Sequence, residues 1–152
     1  MGYVPKDAKW YIAEIVEEIT VEGDPRNVVH VNFNLIRADS PEDAYEKALE
    51  CGRQGETQYA NPQGQLVRIR FCGLRDLNVI DYELEHGAEL MFEKRVGVSV
   101  DELRRLITPK EKLEVFVPWR PPDLSKEPDY ASQEVLDEVE RRFGVKRFDG
   151  VE

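Results

Sequence analysis

The imidazoles and thiols of this chain are few: His30, His86, Cys51 and Cys72. A metal centre needs several such groups, or carboxylates, at ligand spacing. Neither histidine stands at such a spacing from a cysteine, aspartate or glutamate, and both read as ordinary surface residues. A nucleophilic cysteine needs an electropositive setting and a base to activate it. Cys72 follows Arg68 and Arg70 on one side of a strand, which supplies the first condition and not the second, so it reads as a structural thiol. Carboxylates are plentiful, with Glu14, Glu17, Glu18 and Glu22 early and Glu83, Glu85, Glu89 and Glu93 later. They fall on solvated faces and turns, and no spacing singles out an acid/base pair. Gly52, Gly55 and Gly64 are too scattered to cradle a phosphate. With no nucleophile, base and orienter set, the expectation is a protein that is not an enzyme and that uses no metal and no cofactor.

One constellation points to binding instead. Val29, Val31, Phe33 and Leu35 alternate with His30, Asn32 and Asn34, the clearest period of two in the chain. With the apolar set turned inward, the outward side carries His30, Asn32 and Asn34. The matching side of the third strand carries Arg68 and Arg70, and the first strand adds Trp10, Ile12, Glu14 and Val16. Amides, guanidinium groups and aromatic surface together make a binding platform. The candidate site is therefore Trp10, Glu14, His30, Asn32, Asn34, Arg68 and Arg70. Solvated antiparallel faces also look polar in this way.

The elements that must position these residues follow from local patterning. Trp10–Val21 is rich in β-branched and aromatic residues and predicts a long first strand; helical spacing of Ile12, Ile15, Val16 and Ile19 is the competing reading. Gly23, Asp24, Pro25 and Asn27 supply turn chemistry, and residues 28–38 make the second strand of an antiparallel hairpin. Ser40 caps a helix with Pro41 in its first turn, and Gly52 ends it. Residues 55–65 read as a polar loop. Residues 66–74 form a strand, with Gly73 marking a bulge and Leu77, Val79 and Ile80 continuing as extended chain. Residues 84–94 read as another strand. Ser99 and Glu102 make a capping box for a short helix, residues 112–117 an edge strand, and residues 132–143 a last helix. Pro118, Pro121, Pro122 and Pro128 mark a semi-rigid linker.

The fold class is therefore α+β: an antiparallel sheet of four to five strands with a helix packed on one face, ferredoxin-like or related. Residues 1–117 form the core domain, 118–130 the linker and 131–152 a helical appendage. The inward set is Val29, Val31, Phe33, Leu35, Ala44, Ala48, Leu49, Val67, Ile69 and Phe71, and truncating Phe33 to alanine costs about 3–5 kcal/mol if it is core.

The chain has 152 residues and a formal net charge of −10. That balance disfavours nucleic acid and anionic membrane surfaces, which call for basic patches. Two cysteines are fewer than a disulfide framework uses. No apolar run is long enough to span a bilayer and the N-terminus lacks a signal-peptide core, so the expected location is the cytoplasm.

The succession W-Y-I-A-E (10–14), V-V-H-V-N (28–32), A-D-S-P-E-D-A-Y-E-K-A-L (38–49), F-C-G-L-R-D-L-N-V (71–79) and L-E-H-G-A-E-L (84–90) resembles a family of small bacterial proteins known as a domain of unknown function. The resemblance spans about residues 10–93. It implies an α+β domain and no mechanism, site or ligand. From the residues themselves the functional expectation is an acidic protein-binding module, of adaptor or immunity/antitoxin type, working through the exposed sheet face. The alternative is a small-molecule-sensing or homo-oligomeric domain. Its partner is a protein or a second copy of itself, as a homodimer.

Overall fold

The computed structural model describes residues 7–144 of the protein. The architecture is α+β. β1 (Trp10–Val21) and β2 (Val28–Arg37) form the first hairpin, α1 (Pro41–Gln54) follows, and β3 (Thr57–Ala60) with β4 (Leu66–Val79) forms the second. The sheet order is β2-β1-β4-β3, antiparallel throughout. Two hairpins flanking one helix stand in place of the β-α-β-β-α-β succession of ferredoxin-like folds.

The first hairpin turns as its residues dictate. Gly23 takes φ +80°, open to glycine at little cost. Asp24 accepts the Arg26 N–H at 2.9 Å and pairs with its Nη2 at 2.8 Å. Ser40 caps α1 by accepting the Asp43 N–H at 3.1 Å.

The period of two in β2 is as read, but the faces are exchanged. Register pairs Tyr11 with Ile36, Ala13 with Asn34, Ile15 with Asn32 and Glu17 with His30. Residues directly opposite share a face, and Tyr11, Ala13, Ile15 and Ile36 cluster with Ala44 and Ala48 of α1. His30, Asn32 and Asn34 therefore lie on the helix side. Val29, Phe33 and Leu35 lie on the other face, 54%, 59% and 51% exposed. The connection into α1 fixes this sense: Ala38, two residues before the cap, continues the even-numbered series into the core. Ala44, Ala48, Val67, Ile69 and Phe71 are on the covered side as expected.

α1 runs past Gly52, which the sequence marked as its end, to a cap at Gly55. Gly52 is buried because α1 meets β4 there: a Cβ on it would stand 2.4 Å from a Phe71 ring carbon. β4 is a single strand of 14 residues, longer than its alternation suggested. Its register against β1 slips between Glu14 and Ile15 and again between Val16 and Glu17, making Arg75 and Cys72 extra residues. These two bulges return Leu74, Leu77 and Val79 to the helix side after Phe71. Gly73, between the bulges, has φ +146°.

Three other expectations change. The polar loop 55–65 contains β3, closed by an Asn61 side chain that accepts the Gln63 and Gln65 N–H groups at 3.1 and 2.9 Å. Residues 84–94 are not a strand, since a turn from Ala88 N–H to the Glu85 carbonyl and Gly87 at φ +84° break the run. Residues 112–117 form no edge strand; two short 3₁₀ turns, Lys110–Lys112 and Glu114–Phe116, occupy that stretch. α2 (Val100–Arg105) carries the predicted capping box, and α3 spans Gln133–Phe143.

The chain forms two compact units. The first runs through Met91 and takes in Asp123–Gln133, which includes part of the Pro-rich stretch; the second comprises Phe92–Pro122 and the chain from Glu134. Residues 145–152 of the C-terminal appendage lie outside the described residues.

Two outcomes check this packing. Gly52→Val should destabilise by about 1–3 kcal/mol through overpacking against Phe71, whereas Phe33→Ala should change stability by about 0.5 kcal/mol or less. Denaturant melts that reverse this order would put Phe33 on the covered face of the sheet. The hydrogen bonds of Arg26 hold the Asp24 carboxyl down to about 2 from an ordinary 3.8. Its contribution is thus present above pH 3.8 and lost as pH falls through about 2. Acid titration of Asp24→Asn should lack that component.

Candidate binding face

β1 and β4 place the candidate residues. On the face away from α1, Trp10, Ile12, Glu14, Val16 and Glu18 of β1 stand beside Val29, Val31, Phe33, Leu35 and Arg37 of β2, and beside Arg68, Arg70 and Asp76 of β4. The bulge re-aims Arg75 onto the same face. Glu14 sits at its centre, 5% exposed, because β1 is an interior strand. A buried carboxylate needs a partner. Arg75 donates from Nε to Glu14 Oε1 at 2.8 Å and from Nη2 to the same oxygen. The same guanidinium lies 5.8 Å from the Phe33 ring centroid, a cation–π distance. Arg37 lies 5.8 Å from the Trp10 ring. Further along, Glu18 accepts from Asn27 at 2.8 Å and from Arg70 at 3.0 Å, and these bonds hold its carboxyl below the ordinary range.

The face therefore carries four guanidinium groups, from Arg37, Arg68, Arg70 and Arg75, against the carboxylates of Glu14, Glu18 and Asp76. With Glu56, which stands opposite Arg70 at the β3 side, its acids equal its guanidinium groups, so it is near neutral in a chain of net charge −10. Between these charges lie exposed Val29, Phe33 and Leu35. Beyond Trp10, an open cleft of about 640 Å³ is lined by Asp7–Trp10 and Ile80–Leu84.

Of the seven candidates, Trp10, Glu14, Arg68 and Arg70 share this face, with Trp10 at one end, Glu14 central, and Arg68 and Arg70 toward the other end. His30, Asn32 and Asn34 do not; they face α1 and the return segment. Asn34 donates to Cys51 Sγ at 3.8 Å. His30 Nε2 lies 3.4 Å from Tyr130 Oη, with the rings edge-on at 5.6 Å. Sequence reasoning placed Phe33 and Leu35 in the core and passed over Arg37 and Arg75. The broken alternation around Gly73 was the available signal for Arg75.

The stretch Asp123–Gln133 occupies the far half of the helix-side face. Tyr130 packs on Ile19, Val21 and Val67. The Tyr59 hydroxyl donates to the Tyr130 carbonyl, and Asn61 Nδ2 donates to the Asp129 carbonyl at 2.9 Å. Burial pushes both tyrosine hydroxyl pKa values up. α1 and this segment between them take up the face that held the sequence-assigned amides.

Among the described residues, no three histidine, cysteine, aspartate or glutamate side chains are grouped to hold a metal ion, and no helix is long and apolar enough to cross a membrane. Cys51 is half-buried under Asn34, and Cys72 is exposed at its bulge. Residues 10–92, which include all four strands and α1, match the family model of a domain of unknown function, DUF4288. No curated protein and no solved structure matches the chain.

Tyr59→Phe removes one anchor of the return segment and should cost about 0.5–1.5 kcal/mol. Amide exchange should accelerate at Tyr130 and Ala131 with the strands unaffected. Uniform acceleration across β1 and β4 would show that the segment is not a separate anchored layer.

Proposed function

We propose that this chain, which belongs to the DUF4288 family of domains of unknown function, is a non-enzymatic protein-binding module of adaptor or immunity type, docking its partner on the face built from Trp10, Glu14, Phe33, Leu35 and Arg75. The observation that carries the reading is the central group: a buried carboxylate fixed by an arginine that also lies over an exposed aromatic ring. Aromatic and arginine side chains are enriched at interface centres, and a fixed guanidinium loses little freedom when a partner covers it. The net charge of −10 favours basic partners in long-range steering. The face itself favours a contact segment with apolar side chains and polar groups of both signs, because its guanidinium groups and its acids balance. The module acts in the cytoplasm without cofactor, nucleic acid or membrane.

A second reading, a small-molecule sensor, draws support from the cleft between Asp7–Trp10 and Ile80–Leu84, which joins two aromatic rings, Trp10 and Tyr82, to three carboxylates. Cationic aromatic compounds are its test ligands, and a rise in melting temperature is the readout that mass action requires.

Capture from native lysate tests the first reading. Phe33→Glu and Arg75→Ala should each weaken retention of the captured protein by about tenfold or more, the loss of roughly 1.4 kcal/mol. His30→Ala, on the opposite face, should retain it. Equal capture by all three variants would overturn the assignment of the face. Turnover of a hydrolase or phosphatase substrate that disappears in Cys72→Ser would overturn the non-enzymatic reading.

A further inference from the structure

We infer that the outer edge of β2 is a self-pairing site, where β2 of a second copy adds antiparallel about a two-fold axis and joins two four-stranded sheets into one of eight strands. Among the described residues, the sheet order leaves β2 with only β1 as a neighbour. The Ala38 N–H donates to the Lys9 carbonyl at 2.9 Å, which places that pair in the hydrogen-bonded set of the ladder. The register continues without a slip from Trp10–Arg37 to Ile19–Val28. Even-numbered residues of β2 therefore spend their backbone groups on β1, and odd-numbered residues direct theirs outward. Lys47 Nζ donates to the Arg37 carbonyl at 3.0 Å on that outer side, at its very end.

The residues with outward backbone groups are Val29, Val31, Phe33 and Leu35, three of which also hold their side chains more than half exposed. Unpaired edges are ordinarily protected by lysine, proline, a bulge or brevity. β2 has ten residues with no proline, and no charged side chain falls between Asn27 and Ile36 in a chain that is 34% charged. Such an edge invites another strand.

Three features select a second copy as the occupant. A two-fold centre at Asn32 sets Val31 opposite Phe33 and Val29 opposite Leu35, so the four outward residues pair among themselves with none left over. Aromatic and β-branched cross-strand pairs are favourable. The same register sets Arg37 opposite Asn27 and Arg26 opposite Ala38, so no like charges meet. Two chains of net charge −10 also approach with least repulsion along an uncharged edge. This inference does not depend on partner docking at the face, although Phe33 contributes to both.

Sedimentation velocity of the full chain across the micromolar range, with circular dichroism as a fold control, tests the pairing. Wild type should be a dimer. Val31→Pro removes an outward N–H and no bond to β1, and edge strands tolerate proline so placed. It should raise the dimer dissociation constant by about tenfold or more. Val31→Lys should do the same if proline disturbs the strand. For register, Asn32→Cys in a Cys51→Ser/Cys72→Ser background should cross-link across the axis under mild oxidation, because facing residues of a non-hydrogen-bonded pair stand about 4.5 Å apart at Cα. His30→Cys, displaced from the axis, should not. A monomeric wild type, or a dimer equally strong in folded Val31→Lys, would overturn the proposal. Failure here is separable from failure of the docking face: Val31→Pro keeps Trp10, Phe33 and Arg75, so it still captures the lysate partner if that reading holds.

Discussion

β1 is hydrogen-bonded to β2 along one side and to β4 along the other for nearly its whole length. Its alternation is therefore imposed on both neighbours. Once Tyr11, Ala13 and Ile15 meet α1, the residues opposite them must do the same, whatever their polarity. This single constraint places three amide and imidazole side chains of β2 under α1 and the return segment and sends Val29, Phe33 and Leu35 to the other face. The covered side accommodates its polar members locally: Asn34 reaches Cys51 and His30 meets Tyr130.

β4 shows how a long strand keeps an apolar face when its sequence breaks step. Two extra residues, Cys72 and Arg75, reset the alternation so that Leu74, Leu77 and Val79 rejoin the cluster under α1. One of those resets also turns a guanidinium toward Glu14 and Phe33. Packing on one side and chemistry on the other thus share a cause. The helix can approach closely enough because its contact residues are small, Ala44, Ala48 and Gly52.

The sheet's two faces have different work. α1 and Asp123–Gln133 occupy one, the segment held by Tyr59 and Asn61. The other concentrates arginine, aromatic and aliphatic side chains in a protein whose total charge is strongly negative. A face whose charges nearly balance, in a chain of net charge −10, separates two electrostatic roles: the total charge acts at distances where it is screened by salt, and the face acts on contact. The DUF4288 match ends at residue 92 and so contains both faces and both edges of the sheet.

Much of the fold was determined by sequence alone, since its signals are local. β-branched content favoured a strand over a helix for Trp10–Val21, the residues of 23–27 fixed the turn, and Ser40 with Pro41 fixed the start of α1. Alternation also fixed which residues of β2 travel together. It could not fix which set is covered, because a period of two is unchanged when the strand is turned over. That sense was decided by pairing to β1 and by the path through Ala38 into α1. The site followed the same division. Trp10, Glu14, Arg68 and Arg70 were legible as companions, while Phe33, Leu35, Arg37 and Arg75 joined them only through ladder register and a bulge. Four-residue β3 and the docking of Tyr130 were also tertiary decisions, since neither carries a periodic signal and both depend on partners distant in the chain.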